Sequence, residues 1–217
     1  MSPNLRCCIR STDVRDGDFA AGLPQSELAA RRETIATGSW TWLRQVHGSD
    51  VVRVDEPADQ AGVEADGAFT TTVGCPISVT TADCSPVVLV GSHAVAVVHA
   101  GWRGALAGIV EKAAQRLAEV GASPVRTVLG PCIGPDEYEF GAKDLGLMTQ
   151  RYGPSVVGRS ISGMPALDMT EVVGASCLAV GWPQPERPLC TSSPRFFSHR
   201  ARGDQGRQTT VAWLEAA

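Results

Sequence analysis

The chain has 217 residues, of which 43% are hydrophobic and 19% are charged, as is typical of one soluble folded domain. Its 19 basic and 23 acidic residues give a formal net charge of −4, which argues against a nucleic-acid partner because such proteins normally carry a basic face. The most apolar window, 86–100, contains Gly91, Ser92 and His93 and is too short for a membrane-spanning helix. We therefore predict a single domain over residues 1–217 with no membrane contact.

The first ten residues and the cysteines favour a cytoplasmic protein. The N-terminal stretch contains no apolar run of signal-peptide length. The seven cysteines are odd in number and unevenly spaced, unlike a disulfide framework. We assign structural roles to five of them, namely Cys7, Cys8, Cys75, Cys177 and Cys190.

The first half of the chain predicts one helix followed by strands. Residues 25–37 mix apolar and charged side chains and predict a helix, while 51–54 and 76–81 predict strands. The apolar runs 87–90 and 94–98 flank a three-residue connector, a pattern typical of a buried hairpin.

The second half begins with the clearest helical pattern, over 103–120. Apolar residues recur there at steps of three and four, and Gly121 is a plausible stop. A strand at 125–129, helices at 136–151 and 169–180, and a strand at 207–214 follow. Because these elements lack the regular alternation of a doubly wound sheet, the sequence predicts a mixed α+β fold.

Three side chains that can bind a metal fall at the ends of predicted strands: His47, Cys84 and His99. Imidazole and thiolate are good zinc ligands, and three protein ligands with an open fourth position are typical of a catalytic site. Their spacing matches no zinc finger or ribbon. Spacing alone therefore leaves open the alternative that all three are ordinary buried residues.

Four strings in this order resemble the YfiH/laccase-domain family, which includes proteins called polyphenol oxidases, peptidoglycan editing factors and purine nucleoside phosphorylases. The strings are Gln45-Val46-His47-Gly48, Thr81-Ala82-Asp83-Cys84-Ser85-Pro86, His99-Ala100-Gly101-Trp102-Arg103-Gly104 and Gly130-Pro131-Cys132-Ile133-Gly134-Pro135. Tyr138-Glu139, Phe196-Phe197-Ser198-His199-Arg200 and Gly206-Arg207 also fit the pattern. The N-terminal region departs from it, since residues 10–18 replace a Thr-Arg-x-Gly-Gly-Val-Ser stretch.

The resemblance implies mixed sheets in a four-layer α/β/β/α arrangement and one zinc ion held by His47, Cys84 and His99. It also implies zinc-dependent cleavage of adenosine or inosine by phosphate. Methylthioadenosine cleavage and adenosine deamination are further activities that it suggests. The expected partners are thus a small nucleoside and phosphate, and the sequence indicates no oligomeric state.

Two further residues are candidate catalytic groups. Asp83 is placed to orient a ligand or transfer a proton, or else it caps a turn. Arg103 opens the predicted long helix between Gly101 and Gly104, where helix N–H groups and a guanidinium would bind phosphate; the alternative is a surface ion pair.

Gln45, Trp102 and Cys132 are candidate substrate-binding residues within the family strings. Trp102 and Cys132 fit equally well as core residues. We expect His199, beside Arg200 and Arg202, to lie on the surface.

Three other functions remain open. Cys84 and His99 would form a cysteine–histidine hydrolase pair acting on peptidoglycan precursors, although a zinc-bound thiolate is a poor nucleophile. A non-catalytic binding domain braced by its metal is a second alternative. The third, a multicopper oxidase, is disfavoured because four histidines cannot supply a blue-copper site and a three-copper cluster; copper is not the favoured metal.

Overall fold

The computed structural model describes residues 5–217. Within that range the strands are β1 (Leu5–Ser11), β2 (Val51–Arg53), β3 (Gly67–Thr70), β4 (Ile77–Thr81), β5 (Ser85–Gly91), β6 (Val95–Ala100), β7 (Pro124–Leu129), β8 (Val157–Arg159), β9 (Pro165–Leu167) and β10 (Gln208–Ala216). The α-helices are α1 (Gln25–Ile35), α2 (Trp102–Leu106), α3 (Ile109–Glu119), α4 (Ala142–Tyr152), α5 (Met169–Ala179) and α6 (His199–Arg202).

The strands form two main sheets and one small hairpin. A five-stranded sheet has the order β2-β3-β6-β5-β7, and a three-stranded sheet has the order β1-β10-β4. All neighbours are antiparallel except β2 and β3. The strands β8 and β9 pair with each other.

Alternation along β5 places the large sheet between two apolar layers. Val88 and Val90 pack in a cluster with residues of β4 and β10, so they fill the space between the sheets. Val87 and Leu89 face the other way, into a cluster with α3 and α5. Because β5 is buried along its whole length, it is a continuous apolar run rather than an alternating one.

The outer face of the small sheet supplies the fourth layer. Val211 and Trp213 of β10 pack with Ile35 at the end of α1 and with Trp40, whereas Ala212 and Leu214 face the large sheet. The layers are therefore helix, small sheet, large sheet and helices. The predicted mixed α+β fold is confirmed.

The predicted long helix over 103–120 is wrong, because the chain breaks between α2 and α3. Gly108 adopts φ +84, a left-handed conformation that glycine tolerates and other residues rarely adopt. In the sequence the apolar pattern continues across this break, since Leu106 and Ile109 keep the spacing of a helix. Periodicity alone could not reveal it.

The predicted helix over 136–151 begins late, at Ala142. The segment before it is held by β9: the Phe140 N–H donates to the Pro165 carbonyl at 3.0 Å, and the Leu167 N–H donates to the Tyr138 carbonyl at 3.2 Å. The buried ring of Tyr138 and the half-buried ring of Phe140 leave the segment little freedom to coil.

The other predicted elements are confirmed within a few residues, including the hairpin of β5 and β6. The sequence reasoning missed β1, β3, β8, β9 and the short helix α6. No helix within residues 5–217 has the length and apolarity needed to cross a bilayer.

Candidate functional site

Three predicted metal ligands meet at one end of the large sheet. The donor atoms of His47, Cys84 and His99 lie within 4.8 Å of one another, and we call this group the His-Cys-His cluster. The Cys84 Sγ is 4.0 Å from the His47 Nε2, and the two imidazole rings meet edge to face. Residues far apart in sequence thus surround one point.

Strand alternation explains the direction of His99. It lies on β6 with the parity of Val95 and Val97, which face the space between the sheets. Its side chain is almost completely buried, and its Nδ1 is 2.7 Å from the Asp66 Oδ1. A carboxylate partner on one ring nitrogen leaves the other free to bind a metal, the usual arrangement of metal-ligating histidines.

Asp66 also fixes the backbone around His47. Its carboxylate accepts the N–H groups of Val46, His47 and Gly48 at 3.1, 3.0 and 2.7 Å. His47 itself has φ +60, a strained backbone of the kind found at functional sites. Burial alone would raise the pKa of Asp66, but the hydrogen bond from His99 and those from the Gly48 and Val46 N–H groups lower it. Both histidines therefore depend on one ionised carboxylate.

Gly101 lets the backbone approach the His-Cys-His cluster. A Cβ at this position would lie 2.9 Å from the His47 Cδ2 and 3.2 Å from the Cys84 Sγ. Only glycine leaves that space free. One sulfur and two imidazole nitrogens in this space fit zinc, which prefers thiolate and imidazole ligands.

The charges in the cluster favour a thiolate. Burial alone would raise the pKa of the Cys84 thiol, but hydrogen bonding to His47 and His99 lowers it to about 6. Burial would lower the pKa of His99, whereas Asp66 and Cys84 raise it to about 9. The two histidines therefore favour the ionised sulfur, the form that binds metals and attacks electrophiles.

A cavity of about 580 Å³ opens beside the cluster, within the size range of small-molecule sites. Its lining combines all three cluster residues with side chains from distant parts of the chain. The lining residues outside the cluster are Ala20, Ala21, Leu43, Arg44, Gln45, Thr80, Thr81, Ala82, Asp83, Tyr138, His199, Arg200, Gln205 and Arg207.

Two of the five other predicted site residues line this cavity. The Gln45 side chain donates to the Thr80 carbonyl and accepts the Thr80 N–H, both at 2.8 Å, so its amide is occupied by β4. The buried Asp83 has φ +102. Its carboxylate accepts hydrogen bonds from Thr191, Ser198 and the Arg200 N–H at 2.6–2.7 Å. Both residues hold the wall of the cavity together.

The other three, Trp102, Arg103 and Cys132, lie outside the cavity lining. Trp102 packs against Phe140, with ring centroids 5.4 Å apart. The exposed Arg103 stacks on Trp102, its guanidinium carbon 4.3 Å from the ring centroid. Cys132 is buried in the core, and burial raises its pKa to about 12. The site roles of these three stay predictions.

Several lining residues were not predicted from the sequence. His199 was expected on the surface; it is exposed, but it lines the cavity. Arg200, Arg207 and Tyr138 join it, and the only sequence signal for them is the family resemblance of their strings. Burial raises the pKa of Tyr138, so its phenol remains protonated and able to donate a hydrogen bond.

The fold is that of the YfiH-type proteins. The chain superposes on YlmD from Geobacillus stearothermophilus with a TM-score of 0.80 and 24% identity, covering 98% of this chain and 92% of that one. The YfiH protein of Bacillus licheniformis gives a TM-score of 0.79 at 23% identity, covering 90% and 85%. At these identities the likeness shows the fold.

The family model described as "Multi-copper polyphenol oxidoreductase laccase" matches residues 13–215, and the chain belongs to this family. A purine nucleoside phosphorylase of Streptomyces coelicolor is 34% identical over 205 residues, covering 91% of this chain and 84% of the relative. A purine nucleoside phosphorylase of Xylella fastidiosa is 36% identical over 188 residues, covering 80% and 71%. The family resemblance is confirmed, and these names support an enzyme role.

Proposed function

We propose that the protein is a zinc-dependent purine nucleoside phosphorylase acting on adenosine and inosine, with methylthioadenosine as a further substrate. The observation that carries the proposal is the His-Cys-His cluster in the wall of a cavity of about 580 Å³. The names of the relatives at 34% and 36% identity support the same reaction.

In this reaction the bond between the ribose anomeric carbon and the purine nitrogen breaks, and its electron pair leaves with the base. A phosphate oxygen forms the new bond to that carbon, and the base takes up a proton. The products are the free purine and ribose 1-phosphate. No oxidant or reductant is needed.

The chain supplies positions and charges for this chemistry. The His-Cys-His cluster would hold the zinc ion, which would polarise a substrate oxygen or activate water. Asp66 orients His99 and the His47 backbone. The protonated Tyr138 can donate a hydrogen bond to substrate in the cavity, and the arginines of the lining favour an anion there.

Adenosine deamination would place a further demand on the cavity. It requires a carboxylic acid that is not a metal ligand and can carry a proton. Among the described residues that line the cavity, Asp83 is the single carboxylate. Its oxygens already accept three hydrogen bonds, so we expect phosphorolysis to be the main activity.

One observation favours a second candidate, the cysteine–histidine hydrolase. The Cys84 Sγ lies within 4.8 Å of a ring nitrogen of the buried His99, and hydrogen bonding to His47 and His99 lowers its pKa against the effect of burial, as in an activated thiol. Metal content separates the two candidates, because a sulfur bound to zinc is not free to attack.

Product analysis of inosine turnover tests the proposed function. The full chain should release hypoxanthine only with phosphate present and should yield ribose 1-phosphate. A variant carrying His47→Ala, Cys84→Ala and His99→Ala should lose zinc and activity while keeping its fold. Free ribose formed at the same rate without phosphate would show a hydrolase instead.

A further inference from the structure

Three arginines contribute to the lining of the cavity beside the His-Cys-His cluster. Arg44, Arg200 and Arg207 line it, together with the single carboxylate Asp83 among the described lining residues. A low-dielectric concave site lined mainly by one sign of charge concentrates ligands of the opposite sign. The cavity is therefore suited to an anion as well as to a metal.

The three arginines differ in how far their charge is already used. Arg44 pairs with Glu64 at 2.6 Å. The Arg207 guanidinium donates to three successive main-chain carbonyls, those of Asp204, Gln205 and Gly206. Both side chains are thus partly committed to protein partners.

Arg200 is the least committed of the three. Its guanidinium donates one hydrogen bond, to the Glu139 carbonyl at 3.1 Å, and no ion pair within residues 5–217 includes it. The nearby Glu139 carboxylate is engaged by the hydroxyls of Ser160 and Ser162. Donors of the Arg200 fork therefore remain for a ligand.

The position of Arg200 is nevertheless well defined. Its main-chain N–H donates to the Asp83 carboxylate at 2.6 Å, and its guanidinium carbon lies 4.9 Å from the Tyr138 ring centroid. Asp83 directly precedes Cys84, so the carboxylate that holds the Arg200 backbone is next in sequence to a residue of the cluster. A stacked, planar guanidinium loses less freedom when it binds an oxyanion.

We propose that Arg200, with His199 and Arg207 beside it, forms the phosphate-binding side of the cavity. This inference rests on the proposed function and names the residue that receives its second substrate. Phosphate is the fitting ligand because a guanidinium offers two parallel donors to its oxygens. It would bind in the cavity that also contains the His-Cys-His cluster.

Arg103, the arginine favoured by the sequence, provides the matched comparison. It is exposed, stacks on Trp102 and does not line the cavity. The helix that it was expected to open, α2, is only five residues long. The two arginines therefore lead to opposite expectations for the same substitution.

The kinetic test compares Arg200→Gln with Arg103→Gln in the zinc-loaded full chain. Arg200→Gln should raise the phosphate KM roughly 10- to 100-fold, the range expected for losing hydrogen bonds to a charged group, with little change in the inosine KM. Arg159→Gln, at an exposed arginine outside the cavity lining, is the control and should leave both KM values near those of the unmodified protein, while Arg103→Gln tests the competing prediction made from the sequence. Arg200→Lys keeps the charge without the planar fork, so its phosphate KM should fall between those of the unmodified protein and Arg200→Gln. Circular dichroism and zinc content establish that each variant is folded and loaded.

Calorimetric titration with inorganic phosphate, in the absence of nucleoside, tests the subsite independently of turnover. Binding should weaken in Arg200→Gln and persist in the control Arg159→Gln. If the unmodified protein forms no ribose 1-phosphate, the proposed function fails, yet this titration still decides the role of Arg200.

A parallel titration with inosine 5′-monophosphate separates free phosphate from a phosphate ester on the nucleoside. Unchanged phosphate affinity in Arg200→Gln overturns the inference. A loss of affinity for inosine 5′-monophosphate alone also overturns it. So does a loss of phosphate affinity in Arg103→Gln that is absent in Arg200→Gln.

Discussion

At the scale of single residues, Asp66 connects the two histidines of the His-Cys-His cluster. Its carboxylate contacts the His99 ring and three successive N–H groups around His47. Asp66 is not among the described residues that line the cavity. We therefore regard it as a positioning residue whose effect on activity passes through the proposed metal ligands.

Asp66→Asn should weaken zinc binding about 10- to 100-fold, the usual cost of losing such a partner of a metal ligand. The asparagine keeps the shape but not the charge, and its NH₂ group cannot accept the N–H bonds. Competition with a chromogenic chelator measures the zinc affinity. Asp50→Asn, at a nearby exposed aspartate, is the control and should bind zinc normally. If Asp66→Asn bound zinc as tightly as this control, Asp66 would not position the cluster.

The sequence could indicate the cluster but not Asp66. His47, Cys84 and His99 stand at strand ends inside recognisable strings, and histidine is scarce in the chain. Asp66 is one of several acidic residues between 55 and 66, and the strand that follows it, β3, was not predicted. Only the pairing of β3 with β6 brings it to His99.

At the scale of elements, two glycines decide how the chain passes from β6 into the helices. Gly101 gives the backbone room beside the cluster, and Gly108 turns α2 into α3. The amphipathic pattern predicted the existence of the helical region but not its division. A glycine's role depends on its neighbours in space, which a pattern of apolar residues does not contain.

Gly101→Ala should reduce zinc occupancy and activity, because its Cβ would meet the His47 ring and the Cys84 sulfur. The position has φ −71, so backbone strain would not be the cause. Gly141→Ala is a close control: that glycine also precedes a helix, has φ −66, and its Cβ would meet no atom within 4 Å. Full zinc occupancy in purified Gly101→Ala, measured by elemental analysis, would contradict the crowding argument.

At the scale of the whole molecule, the layers assemble the site from distant stretches of the chain. The cavity draws on the segment before β2, the ends of β4 and β6, the stretch before α4 and the residues from α6 to β10. The sequence predicted the α+β class, because periodicity reports element type. It did not predict that His199 and Arg200 line the cavity, because α6 is held there by long-range contacts such as those of Ser198 and Arg200 with Asp83.

A further long-range contact ties the segment after β1 to the C-terminal half. Hydrogen bonds from the Arg15 side chain and, to a smaller extent, from Arg195 hold the pKa of Asp13 well below its usual range, although burial alone would raise it. Because the folded pKa is depressed, this contribution to stability is present at neutral pH. It is lost as the pH falls below about 4, the pKa of an unfolded aspartate, towards the folded value.

Asp13→Asn should therefore be less stable than the unmodified protein at pH 7, and the gap in the free energy of unfolding should shrink as the pH falls below about 4. Urea unfolding at a series of pH values measures it. A gap that stays constant from neutral to acidic pH would mean that ionisation of Asp13 does not contribute.

The central claim is that zinc in the His-Cys-His cluster is required for phosphorolysis. Its most direct test is to strip the full chain with a chelator, return zinc in measured amounts and follow ribose 1-phosphate formed from inosine and phosphate. We predict no activity in the stripped protein and a rise that saturates at one zinc per chain. Full phosphorolysis in folded, metal-free protein would contradict the claim.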